Sequence, residues 1–125
     1  MSFLYSQSVI TEPFEKEKWD SSGTYRYDLV LRSYDIFSAV TYLKSENEII
    51  ETLGHPVQRY LRKNSPVHLK QGWTTADEVI DLIYCLGTQL NKTSENENRN
   101  RCIGSWITLH LYQDSVVDVT IANVD

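Results

Sequence analysis

The 125-residue sequence is poor in cysteine, methionine and long apolar stretches. No apolar run approaches the roughly 18 residues that a membrane-spanning helix needs. The first residues lack the basic segment and apolar core of a signal peptide, so we expect a cytoplasmic protein, or an envelope protein if a leader has been removed. Two cysteines, Cys85 and Cys102, are too few for the disulfide framework of a small secreted domain. We therefore expect both to be reduced, buried and structural.

The composition indicates a globular protein with a contact surface. With 41% apolar and 23% charged residues, the chain is expected to form a single domain, 1–125, that buries a core. The formal net charge of −5 makes nucleic acid an unlikely partner and favours a basic one. Eight tyrosines and three tryptophans are many for this length, and such aromatic residues are typical of protein interfaces.

The clearest structural pattern lies near the C-terminal end. Residues 105–112 and 116–124 alternate in polarity on either side of a short polar turn, which predicts an antiparallel hairpin. We expect one face to join the core, and it carries Ile107, Leu109, Leu111, Val117, Val119 and Ile121. The opposite face is too aromatic for an ordinary solvated surface, so we expect it to bind a partner. Its residues are Trp106, Thr108, His110, Tyr112, Asp118 and Thr120.

The N-terminal half carries helical patterns. A short helix is predicted over residues 14–20, and apolar residues at helical spacing predict a longer one over about 25–43, with a possible break at Asp35 or Ser38. Ser45 and Glu48 then form a capping box at the start of a further helix. That helix is expected to stop at residue 54, a glycine that is followed two positions later by a proline.

Strand patterns follow the last helix. Residues 57–70 predict two short strands around a turn at residues 64–66, and residues 71–72 predict another turn. Residues 79–86 are rich in β-branched and aromatic side chains, which favours a central strand over a helix. Residues 91–101 predict a polar loop, and residues 8–11 a possible edge strand. The predicted fold is α+β, with N-terminal helices packed on one face of a C-terminal antiparallel β-meander.

Several short segments, in this order along the chain, resemble a known family. They are Trp19, residues 26–30 (RYDLV), residues 48–56 (EIIETLGHP), residues 83–87 (IYCLG) and residues 106–119 (WITLHLYQDSVVDV). Together they resemble the small-protein-A-type outer-membrane assembly proteins and the similarly folded β-lactamase inhibitor protein. The resemblance implies helices packed on an antiparallel meander and a role in protein binding or assembly, with no catalytic motif. The chain departs from that family in a longer, more basic stretch before residue 79 and in having no cysteine near its N-terminus.

A search for chemistry along the sequence finds no catalytic, metal-binding or cofactor motif. The three histidines have no metal-ligand spacing, and the glycines form no phosphate-binding pattern. The acidic residues Asp77, Glu78 and Asp81 are interpreted as solvated charges. A segment without acidic residues carries a possible basic patch, which either contacts phosphates or protects an edge strand. The patch consists of Arg59, Arg62, Lys63 and Lys70.

These observations favour a non-catalytic protein-binding module, without cofactors, over an enzyme. We expect a stoichiometric inhibitor or immunity protein that binds a basic partner through the aromatic sheet face. One alternative is an assembly or scaffold protein of the cell envelope, as the resemblance implies. A second alternative is a small α+β enzyme or ligand-binding cup. A homodimer is also compatible with the sequence.

Overall fold

The computed structural model describes residues 12–90 and 101–124. Its helices come first, and we number them α1 to α4 in chain order: Lys16–Ser21, Gly23–Arg32, Tyr34–Thr41 and Glu46–Leu53. The strands follow as β1 to β5: Gln58–Leu69, Gly72–Cys85, Thr88–Leu90, Arg101–Tyr112 and Ser115–Val124. The predicted α+β arrangement is therefore confirmed, with helices N-terminal to residue 54 and strands after it.

The strands form an antiparallel sheet in which β4 is central. β4 pairs with β2 on one side and with β5 on the other, and β1 forms the far edge beside β2. The short β3 pairs with the first residues of β4. The predicted C-terminal hairpin is confirmed, and its turn residues Gln113 and Asp114 both have positive φ, as a tight two-residue hairpin requires.

The helices cover one face of this sheet and form the main core with it. Leu29, Phe37 and Ile49 from the helices are fully buried against the sheet. The strands contribute fully buried side chains at alternate positions, among them Leu82, Ile107 and Leu109. The core face predicted for β4 is thus confirmed.

The last helix begins and ends where the sequence predicts. The Ser45 hydroxyl accepts from the Glu48 amide at 3.2 Å, and the Glu48 carboxylate accepts from the Ser45 amide at 2.8 Å. Gly54 follows at a φ of 87°, which a residue with a side chain rarely adopts. The break in the long helical segment, however, falls at Ser33 rather than at Asp35 or Ser38. Ser33 has non-helical backbone angles and separates α2 from α3.

The prediction of two short strands within residues 57–70 is wrong. One continuous strand, β1, runs through the segment, and the turn comes only at residues 70–71. Within this strand, Asn64 has a φ of 49°, a conformation that Asn tolerates better than most residues. Pro66 is accommodated because β1 is an edge strand, where a missing amide donor is least costly. Residues 79–86 lie in strand through Cys85, as predicted.

The face assignment in β5 needs a correction. The register shifts between His110 and Leu111, so Val116 rather than Val117 enters the main core. Val117 instead packs against a second, smaller cluster made by the β1–β2 hairpin. Ile121 lies opposite Ile107 but is 43% exposed, because it is on an edge strand, so its assignment to the core was wrong.

The expectation of reduced cysteines is also wrong. Cys85, at the end of β2, and Cys102, near the start of β4, form a disulfide with Cα atoms 5.5 Å apart. The number of cysteines in the chain carried no information on this distance, which is set by the way the chain returns from β2 to β4. Cys85 is buried, as expected, but as half of a disulfide.

The residues that carry the family resemblance are joined by hydrogen bonds in the core. The Tyr84 hydroxyl donates to the Gly54 carbonyl at 2.7 Å, and burial raises the pKa of Tyr84. The buried Arg26 guanidinium donates to the carbonyls of Trp19 and Gly87, and burial lowers its pKa. These contacts fix the helices to the end of β2, so the motifs have a structural role.

Candidate functional site: the open face of the sheet

The sheet face turned away from the helices carries the candidate site. In the described part of the chain, no helix covers this face. We call it the open face and define it by side chains that share it in the strand register: Tyr60, Arg62, Asp81, Ile83, Trp106, Thr108, His110, Thr120 and Ala122. Tyr60 is 50% exposed, and Thr120 and Ala122 are also exposed. Apolar and hydroxyl-bearing groups therefore reach solvent together.

A line of hydrogen bonds crosses the centre of the open face. Asp81 accepts from Arg62, with Nε to Oδ2 at 2.7 Å and Nη2 to Oδ1 at 3.2 Å. Asp81 Oδ1 lies 2.7 Å from His110 Nδ1. His110 Nε2 in turn lies 2.9 Å from the hydroxyl oxygen of Thr120. Four strands, β1, β2, β4 and β5, are thus connected by side chains on one face.

The electrostatics of this line are set by its central carboxylate. Burial alone would raise the pKa of Asp81, but the hydrogen bonds from His110 and Arg62 outweigh burial and hold its pKa below the ordinary value. Asp81 is therefore ionised at neutral pH. An ionised carboxylate can only accept hydrogen bonds, so His110 Nδ1 must carry the hydrogen that faces it.

The predicted partner-binding residues fall into two groups. Trp106, Thr108, His110 and Thr120 lie on the open face, where register pairs join Thr108 to Thr120 and Trp106 to Ala122. Tyr112 packs instead against the small cluster of the β1–β2 hairpin, formed by Val67, Ala76 and Val79. Asp118 lies opposite His110, but its carboxylate accepts from the Val119 amide at 3.0 Å. Tyr112 and Asp118 therefore lie at the margin of the open face.

The possible basic patch is not brought together on one surface. Arg59 and Arg62 point to opposite sides of β1, because side chains alternate along a strand. Arg59 pairs with Glu46 of the last helix, and Arg62 pairs with Asp81. Lys63 and Lys70 are exposed farther along the hairpin. Both arginine charges are thus matched by carboxylates within the chain.

A surface cleft lies beside the open face, between α3, β5 and the tip of the β1–β2 hairpin. It has a volume of about 320 Å³, and its lining includes Val116, Val117 and Val119. Polar side chains at its rim include Tyr34, Tyr42, His68 and Lys70. Burial and the nearby Asp118 carboxylate raise the pKa of Tyr34. Under the alternative that the protein is a ligand-binding cup, this cleft is where a ligand would bind.

In comparisons with known proteins, no family model, curated protein or solved structure matches the chain. Within residues 12–90 and 101–124, no group of three or more His, Cys, Asp or Glu side chains is placed to hold a metal ion. No helix in this part of the chain is long and apolar enough to cross a membrane.

Sequence reasoning missed four residues of the open face: Tyr60, Asp81, Ile83 and Ala122. Asp81 was interpreted as a solvated charge, yet it is only 8% exposed and joins β1 to β4. Its position within an apolar strand segment was the available signal, since an acid there needs a partner. Tyr60 and Ile83 complete the face from β1 and β2, and only the strand register reveals that they belong to it.

Proposed function

We propose that this protein is a protein-binding module whose open face is the contact surface. The observation that carries the proposal is the combination of exposed Tyr60 and Ala122, with partly exposed Ile83 and Trp106 on the same face, and a central polar line whose members pair with one another. A partner can cover such a face without leaving the buried Asp81 charge unpaired, which would be costly. Aromatic residues around a satisfied polar centre are typical of the energetic centre of an interface.

The net charge of −5 favours a basic partner. Opposite net charges raise the rate of encounter, and this effect weakens as salt screens the charges. An inhibitor or immunity protein that captures a basic enzyme fits both features. The rate of association should then fall with ionic strength, while the dissociation rate changes little.

Site-specific photocrosslinking in the cells that express the protein tests where a partner binds. A photoreactive phenylalanine analogue at position 60 lies on the open face, whereas the same group at position 73 lies near the hairpin tip, where Trp73 is 71% exposed. If the open face is the contact surface, the analogue at position 60 should crosslink to one defined protein, and the analogue at position 73 should not crosslink to that protein. Equal crosslinking from both positions, or from position 73 alone, would place the contact elsewhere.

A second candidate is an assembly or scaffold protein of the cell envelope. The Cys85–Cys102 disulfide favours it, because disulfides persist mainly in oxidising compartments. Trapping thiols with an alkylating reagent at the moment of cell lysis tests this candidate. Unlabelled cysteines would support an oxidising location, and fully labelled ones would contradict it.

A further inference from the structure

Three side chains of the open face are arranged so that a carboxylate, an imidazole and a hydroxyl follow one another, which is the order that can activate a hydroxyl group. Asp81 on β2, His110 on β4 and Thr120 on β5 form a continuous line. The carboxylate oxygen lies 2.7 Å from imidazole Nδ1, and imidazole Nε2 lies 2.9 Å from the threonine hydroxyl. Both distances are within the range of good hydrogen bonds. Carboxylate, imidazole and hydroxyl are therefore connected in sequence.

The directions of these hydrogen bonds follow from the chemistry of the groups. Ionised Asp81 can only accept, so Nδ1 carries the hydrogen, and in the neutral imidazole Nε2 is then an acceptor. In that neutral form, the Thr120 hydroxyl donates to Nε2. Arg62, which binds both carboxylate oxygens of Asp81, helps to keep that group ionised and fixed. This is the arrangement in which a histidine acts as general base toward a hydroxyl nucleophile.

We propose that Thr120 is the nucleophile of an ester-cleaving site in which His110 is the general base and Asp81 is a positioning residue. The proposal goes beyond the binding function and does not depend on it. It would overturn the expectation of a non-catalytic protein. Thr120 is exposed on an edge strand, so a small carboxylic ester can reach its hydroxyl from solvent. Ile83 and Ala122 share this face and offer apolar contact to a short acyl chain.

The reaction balances with water as the only co-reactant. A bond forms between the Thr120 hydroxyl oxygen and the ester carbonyl carbon, while the hydroxyl proton moves to His110 Nε2. The carbon–oxygen bond to the leaving alcohol then breaks, and the alcohol takes that proton. Water next attacks the acyl-threonine, gives a proton to His110, and releases the acid with the free Thr120 hydroxyl restored. On this exposed face, solvent hydrogen-bonds the oxyanion in both steps.

p-Nitrophenyl acetate, an activated small ester, is the probe that tests the proposal on the full chain. We expect release of p-nitrophenolate at neutral pH and, after an acid quench, one acetyl group located on Thr120 by peptide mass spectrometry. Thr120→Val keeps the shape of the side chain and should lower the rate by about 100-fold, as should His110→Asn. Thr120→Ser should retain activity, because serine supplies the same hydroxyl.

Two matched variants separate this chemistry from the background. Thr75→Val removes an exposed hydroxyl of β2 near the tip of the β1–β2 hairpin, and His68→Asn removes an exposed imidazole far along the hairpin. Both should react like the unaltered protein. Circular dichroism should confirm that Thr120→Val is folded. An unchanged rate in folded Thr120→Val, or a rate lost in His68→Asn instead, would overturn the proposal, as would acetylation only at lysine or His68.

Discussion

The packing of the central strand makes a quantitative prediction for Leu109→Ala. Leu109 is fully buried, with Leu82 on one neighbouring strand and Val119 on the other. The substitution removes three carbon groups, which at about 0.8 kcal/mol each cost about 2.4 kcal/mol in lost burial. Strands held on both sides cannot collapse fully into the space, so the cavity raises the cost to about 3–5 kcal/mol. That is a large part of the roughly 5–15 kcal/mol stability of a typical domain.

Ile121→Ala is the matched control, because it removes a similar number of atoms from a neighbouring position. Ile121 is 43% exposed, so its truncation should cost only about 1 kcal/mol. The assay is urea unfolding followed by tryptophan fluorescence, to which the buried Trp19 contributes. Equal losses for the two variants, or a larger loss for Ile121→Ala, would refute the assignment of Leu109 to the core and Ile121 to the margin.

Two further predictions concern the disulfide and the buried carboxylate. Replacing both Cys85 and Cys102 by Ala should lower the free energy of unfolding by about 3 kcal/mol, because the bond closes a loop across a sequence separation of 17. Alkylation of these cysteines in the native protein without reductant would contradict the bond. The lowered pKa of Asp81 should stabilise the fold above about pH 4 and lose that effect as pH falls through the folded pKa. Asp81→Asn should therefore flatten the acid branch of stability against pH, whereas the exposed Asp77→Asn should not; an unchanged branch in Asp81→Asn would contradict the network.

Local sequence patterns were sufficient to predict those features of the structure that depend on residues close together in the chain. The Ser45 and Glu48 capping box and the alternation along β4 are such cases, since each depends on residues within a few positions. The class of fold followed from the order of these patterns. The possible strand over residues 8–11 and residues 91–100 of the predicted polar loop lie outside the described residues, whereas Arg101, the last residue of that predicted loop, begins β4.

The remaining features depend on which residues meet across the sheet. The Cys85–Cys102 bond and the bonds of Asp81 to Arg62 and His110 join positions 17 to 29 residues apart. A local sequence pattern does not show which residues so far apart in the chain come into contact. The register shift after His110 likewise changes which valine enters the core, because one extra residue reverses the side-chain direction of a strand. The alternation along β4 was sufficient to place Trp106, Thr108 and His110 on one face of the sheet, but it could not reveal the bonds of Asp81 to Arg62 and His110.

The open face as a protein-binding surface is tested most directly by titration calorimetry with the crosslinked partner in purified form. Tyr60→Ala removes the most exposed aromatic group of that face, and Trp73→Ala removes an exposed aromatic group at the hairpin tip. We expect Tyr60→Ala to lose about 2 kcal/mol of binding free energy or more, roughly a 30-fold rise in Kd, with an unchanged melting temperature. Trp73→Ala should bind as the unaltered protein does. Unchanged affinity in Tyr60→Ala together with weakened binding in Trp73→Ala would contradict the assignment of the binding surface to the open face.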